Sequence, residues 1–150
     1  KAMPSGLRWP SDHTWAARLR ATASFGEVPE QYRTALVSRG ILRGFALGDA
    51  PLVRHSVAGS LEYRFRIDTP PWFDELGLQD WWGAVFVDAG VGANSYEGLL
   101  RSSIYADVGV TGRARVKYLG IPIYVWGSVA WPVSGRSGSP RVTLGLDWAF

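Results

Sequence analysis

Apolar and polar residues alternate one by one along six stretches of this chain. In the first, 14–26, one side holds Trp15, Ala17, Leu19, Ala21, Ala23 and Phe25. The other holds Thr14, Ala16, Arg18, Arg20, Thr22, Ser24 and Gly26. A period of two is the mark of a β-strand. A helix would not separate Arg18 from Leu19 onto different faces. The same alternation predicts strands over about 56–67, 81–91, 103–118, 123–133 and 141–150. Asp68-Thr69-Pro70-Pro71 ends the second strand, and 72–78 could form one helical turn between those prolines and Gly77. Residues 92–100 read as a polar loop, Gly120 and Pro122 as a short turn, and 134–140 as a further loop.

The segment 27–53 lacks this period and reads as one large loop. Gly40, Gly44 and Gly48 stand at four-residue steps in it, with Pro51 near its end. Such glycines suit a backbone that turns tightly or passes close to another wall. Arg43 stands between two of them, flanked by Leu42 and Phe45. A planar guanidinium at the tip of a glycine-bounded turn suits a buried docking contact. The plainer alternative is an exposed arginine in a flexible loop.

Each predicted strand has one apolar face and one face of small, hydroxyl or charged residues. The second kind collects Arg18, Arg20, Arg64, Arg66, Arg113, Arg115, Lys117 and Arg141, with Glu62, Asp88, Asp107 and Asp147. So many ionisable groups do not suit a sandwich core, where each unpaired charge costs several kcal/mol. They suit a wet barrel interior, with the apolar faces turned to lipid. Strands of ~9–11 residues or more cross a bilayer at a tilt of ~45°, and Trp15, Tyr118, Trp131 and Trp148 near strand ends suit aromatic girdles. A soluble antiparallel sheet with one solvated face is the alternative. It would need a cover over six apolar faces, and no predicted helix supplies one.

Composition narrows the chemistry. The chain has 150 residues, no Cys, and a formal net charge of +3 that is scattered along the sequence. That is the size of one domain, without disulfide or thiolate chemistry and without the basic patch of a nucleic-acid binder. His13 and His55 lie far apart, which argues against a zinc site or a Ser-His-Asp triad. No cofactor or metal is expected. No two carboxylates are marked by a local motif as an acid–base pair, so the expectation is that the chain is not an enzyme. No secretory-signal pattern opens it, and it reads as a mature form or a fragment.

Three short motifs appear in order: Leu42-Arg43-Gly44-Phe45, Gly59-Ser60-Leu61-Glu62 followed by Tyr63-Arg64-Phe65, and Phe86-Val87-Asp88-Ala89-Gly90. With the final strands and the terminal Phe150, the chain from about residue 15 to 150 resembles the C-terminal barrel region of the outer-membrane assembly and two-partner secretion superfamily, the BamA, TamA and FhaC type. The first motif resembles that family's Arg-Gly-Phe/Tyr motif at the tip of a long extracellular loop folded into the lumen. The others resemble the Gly…Glu and Phe-x-Asp-x-Gly patterns of the next strands. The resemblance implies an all-β, antiparallel, up-and-down transmembrane β-barrel, of which this chain supplies the last six of about sixteen strands. It implies a bacterial outer-membrane location. It implies a loop lock formed by Arg43, Gly44, Phe45, Glu62, Asp88 and Gly90, and an assembly signal at Phe150.

The residues agree with that lock on their own terms. Glu62 and Asp88 fall on the polar faces of consecutive strands, which lie ~4.8 Å apart when paired, so one guanidinium could reach Asp88 with both arms and have Glu62 close by. Asp88 could instead pair with Arg113 or Arg115 on the following strand. Six strands cannot close around their side chains, since about eight is the usual minimum. The expected partners are therefore a lipid bilayer and the remaining barrel strands from upstream sequence or other chains, with no nucleic acid; the resemblance adds substrate polypeptides. The resemblance implies assistance in inserting or translocating polypeptides at the outer membrane. The alternatives are a passive barrel anchor or pore, or a soluble β-sandwich binding module, for instance for carbohydrate.

Overall fold

The computed structural model describes residues 12–27, 29–30, 33–37, 41–46, 48–68, 72, 77–118, 121–134 and 138–148. The chain is all-β and antiparallel. Its main sheet holds six strands: β1 (His13–Ala23), β4 (His55–Arg66), β5 (Leu78–Ala93), β6 (Tyr105–Tyr118), β7 (Ile121–Ser134) and β8 (Arg141–Trp148). They lie in the order β1-β4-β5-β6-β7-β8, so each pairs with the next one along the chain. Two short strands, β2 (Thr34–Ala35) and β3 (Leu52–Val53), pair with each other inside the long β1–β4 connection. β1 and β8 are the two edges, and the sheet is not closed.

The period-two pattern explains the register. Val57 lies opposite Ala21 and Val91, and Val125 opposite Ala114 and Leu146. Apolar positions therefore line up in rows on one face. On the other face Ser60, Asp88 and Asp107 form one row across β4, β5 and β6. Glu62, Phe86 and Gly109 form the next. A slip of one residue in any pair would send charged groups to the apolar side.

The hydrophobic core is not on the apolar face. It forms on the charged one, where Leu36, Val37, Ile41, Leu42, Phe45 and Ala50 of the loop pack onto Ala58 of β4 with Tyr105 of β6 beside them. The apolar face stands bare across the sheet's whole width: Leu19 is 77% exposed on β1, Val87 42% on β5, Val108 39% on β6 and Leu144 78% on β8. Nothing among the described residues covers it. A sheet with a naked apolar face and a core on its polar side inverts the usual arrangement in water.

Several local expectations change. The first strand ends at Ala23 rather than near 26, where Gly26 takes φ 76°. β5 is longer than 81–91 because it starts at Leu78, with a register shift between Gln79 and Trp82, and Asp80 there takes φ 49°. It also runs on through Ala93, into the stretch read as a polar loop. That stretch then forms a short helix, α1 (Tyr96–Arg101). Ser95 caps it by accepting a hydrogen bond from the Gly98 N–H, which satisfies one of the free amides of its first turn. The pattern missed α1 because six residues cover under two turns. Of the turn expected at 72–78, only Trp72, Gly77 and Leu78 are described.

Candidate functional site

The loop tip is a tight turn, Leu42-Arg43-Gly44-Phe45, closed by the Phe45 N–H donating to the Leu42 carbonyl at 3.2 Å. Its left-handed residue is Leu42, at φ 58°, and not one of the glycines. That backbone costs a β-carbon-bearing residue roughly 1–2 kcal/mol. Leu42 holds it because its side chain is fully buried in the core beneath the loop. Gly40 lies outside the described residues, and a Cβ on Gly48 would meet nothing. Gly44 is the glycine the site needs. A Cβ there would stand 2.8 Å from the Asp107 Cβ, so only glycine lets the turn sit against β6.

The turn sets Arg43 onto the sheet. Its Nε donates to Asp88 Oδ2 at 3.0 Å and its Nη2 to Asp88 Oδ1 at 3.0 Å, a two-armed contact. Nη1 reaches Glu62 Oε1 at 2.8 Å and Nη2 also reaches Ser60 Oγ at 3.1 Å. The guanidinium carbon lies 3.3 Å from the centre of the Phe86 ring. Gly109 lets that ring lie flat, since a Cβ there would meet Phe86 at 2.4 Å. The Arg43 side chain is 12% exposed and the Asp88 side chain fully buried. Desolvation disfavours the Arg43 charge, but Asp88 and Glu62 outweigh it and hold its pKa above the ordinary arginine value. Arg43 thus stays ionised, and the hydrogen bonds are of the stronger, charge-assisted kind.

The two central amides of the turn point the same way. The Arg43 N–H donates to Asp88 Oδ2 at 3.3 Å and the Gly44 N–H to Asp107 Oδ2 at 3.0 Å. Asp88 and Asp107 are register partners on β5 and β6, and both are fully buried. A turn presenting successive N–H groups makes a small anion-binding concavity, here filled by two carboxylates of the sheet. Glu62 is also held from its far side, where Arg64 donates to Oε2 through Nε at 2.8 Å and Nη2 at 2.6 Å.

The structure brings together Arg43, Gly44, Glu62 and Asp88, with Phe45 and Gly90 beside them. Phe45 is buried edge-on to Tyr105, ring centres 5.5 Å apart. Gly90 is where the loop touches β5. A Cβ there would stand 2.9 Å from Ala58 Cβ and 3.1 Å from Leu42 Cδ1. Asp88 does not pair with the next strand's arginines, since Arg115 lies 3.6 Å from Asp80 instead. Phe150 lies outside the described residues. Sequence reasoning missed Asp107, Ser60 and Phe86 as members of this site. Two signals were present, since all three sit on the polar faces beside Glu62 and Asp88, and Gly109 marks a ring lying across β6.

The opposite face of the loop is held by other contacts. Arg141 of β8 donates to the Phe45 carbonyl, and Arg54 donates to the Gly26 carbonyl near the loop's base. Among the described residues no cluster of His, Cys, Asp and Glu could hold a metal ion. No described helix is long and apolar enough to cross a membrane. Comparison of the chain with models of known families, with curated proteins and with solved structures gave no match.

Proposed function

We propose that this sheet is part of an outer-membrane β-barrel of the assembly and secretion type, with the 27–53 loop folded into the lumen and held there by Arg43. One observation carries the reading. The apolar face is bare across all six strands, while the loop and the core it forms lie on the charged face. In lipid that arrangement is favourable, because the bilayer covers the apolar face and the wet interior solvates the charges.

Further features agree. Trp15, Tyr63 and Phe65 cluster at one end of the apolar face, ring centres 5.0 and 6.2 Å apart. Phe25 and Tyr96 sit together beyond the other end, 6.4 Å apart. The ten steps from Trp15 to Phe25 span ~33 Å along an extended chain, or ~25 Å along the membrane normal at a tilt of ~40°, the height of a barrel's apolar band. The unpaired edges of β1 and β8 need partners in lipid. Those are further strands of the same polypeptide or of neighbouring copies.

Assistance in inserting or translocating polypeptides follows from the motif resemblance and from the loop's docking through one charged turn. The membrane part is tested by partitioning the expressed chain between buffer and detergent, then comparing gel migration with and without heating. Detergent dependence is expected, and a monodisperse species in plain buffer would sink the barrel. The polypeptide-handling part is tested in cells carrying Arg43→Ala. Loss of other heat-modifiable outer-membrane proteins would mark insertion, and loss of an exported polypeptide would mark secretion. Normal levels of both would leave a barrel that only anchors or conducts.

A further inference from the structure

The charged face is not neutral. Beyond the docked loop, a concavity of about 1030 Å³ extends across it from Thr14 and Arg18 on β1 to Asp147 on β8. Under the loop itself the face carries small residues, with Ser56 opposite Gly92 and Ala58 opposite Gly90. Arg64 and Arg113 line the concavity, and Arg66, Arg115 and Lys117 continue the same faces of β4 and β6 toward the end away from the loop. Glu62 is already shared between Arg43 and Arg64, and Asp80 lies between Arg66 at 3.8 Å and Arg115 at 3.6 Å. Arg18, Arg20, Arg113, Lys117 and Arg141 have no carboxylate within 4.0 Å among the described residues. Two acids on that face also have no cation within 4.0 Å among the described residues, Asp147 and the buried Asp107, which accepts the Gly44 N–H under the loop. Arg113 is held over the Tyr124 ring at 4.2 Å, which orders its guanidinium without cancelling its charge.

We infer that this basin, resting on the barrel reading above, concentrates small inorganic anions and makes the assembled pore anion-selective. A cleft lined by one sign of charge with low-dielectric walls focuses its field and enriches counter-ions. Rings of Arg and Lys are the arrangement that selects anions in pores. The five unpaired cations outnumber the two unpaired acids, and Asp107 lies under the loop, so the field is positive where an ion enters from the end opposite the loop.

Two measurements on the detergent-solubilised wild-type protein test this. In a planar bilayer under a potassium chloride gradient, the reversal potential should take the sign of chloride permeation. Arg113→Gln combined with Lys117→Gln should move the chloride-to-potassium permeability ratio about twofold or more toward unity. If the loop keeps the pore closed, tryptophan quenching decides. Trp126 is the register partner of Arg113, so the signal lost in Trp126→Phe reports on the basin. With each quencher normalised to its effect on free N-acetyltryptophanamide, iodide should quench that signal more strongly than caesium, and the double variant should narrow the difference. Cation-selective conductance, or normalised caesium quenching that equals or exceeds normalised iodide quenching, would overturn the inference. Failure of the barrel reading shows separately, as a chain soluble in plain buffer that does not insert.

Discussion

Replacing Arg43 by alanine removes four side-chain hydrogen bonds: two to Asp88, one to Glu62 and one to Ser60. Glu62 keeps Arg64. Asp88, with no exposed surface, keeps only the long 3.3 Å contact from the backbone N–H of residue 43. Deleting one partner of a buried ion pair costs ~3–5 kcal/mol, because the other charge is left uncompensated. That corresponds to roughly two to three and a half powers of ten in the loop's opening equilibrium. The readout is hydrogen exchange at the Gly44 amide, which is protected only while the turn sits against Asp107. Where exchange follows the opening equilibrium, its protection should fall by that factor. Adding Asp88→Ala should restore part of the loss, since removing both charges costs less than stranding one. The expected coupling energy is ~2 kcal/mol or more. Unchanged Gly44 exchange in Arg43→Ala, or a double variant additive within ~0.5 kcal/mol, would refute the pairing as the loop's anchor.

Three further outcomes follow from the same geometry. Val87→Arg lies mid-strand on the bare face; in lipid it should cost ~2–4 kcal/mol in reversible unfolding from bilayers, whereas a water-facing site would change by ~0.5 kcal/mol or less. Gly109→Ala would place a Cβ 2.3 Å from the Val129 carbonyl oxygen and 2.9 Å from the Ala130 Cα. Backbone cannot yield there cheaply, so the heat-shifted band should be lost, and its survival would mean that β6 and β7 adjust. Asp107→Ala orphans the buried Gly44 N–H and should destabilise loop docking by ~1–3 kcal/mol, seen as faster proteolysis of the loop with the sheet intact.

Much of the sheet was legible because its period is local. Alternation through β6 and β8 assigns each residue to a face without knowledge of its neighbours. The arginine turn was legible in part. Arg43 was conspicuous between Gly40 and Gly44, and Glu62 and Asp88 shared the polar parity of adjacent strands. Asp107 was not picked out, because its role depends on a row that exists only once β5 and β6 pair with Asp88 opposite Asp107. Leu42's left-handed backbone was hidden for the same reason. Nothing in its identity favours φ 58°, and the burial that holds it comes from the assembled loop and sheet.

By itself, then, the sequence determined the strands and their faces, since each depends on side chains a few residues apart, and that parity in turn put Glu62 and Asp88 among the candidate partners of Arg43. Only the tertiary structure decided which face carries the core, that Asp88 takes Arg43 rather than a neighbouring strand's arginine, and that Asp107 completes the seat. Those outcomes depend on register and on the path of a long loop. The loop is seated by contacts with residues 17 to 96 positions away, and β1 finds its register with β4 through pairs up to 52 positions apart, which no local pattern encodes.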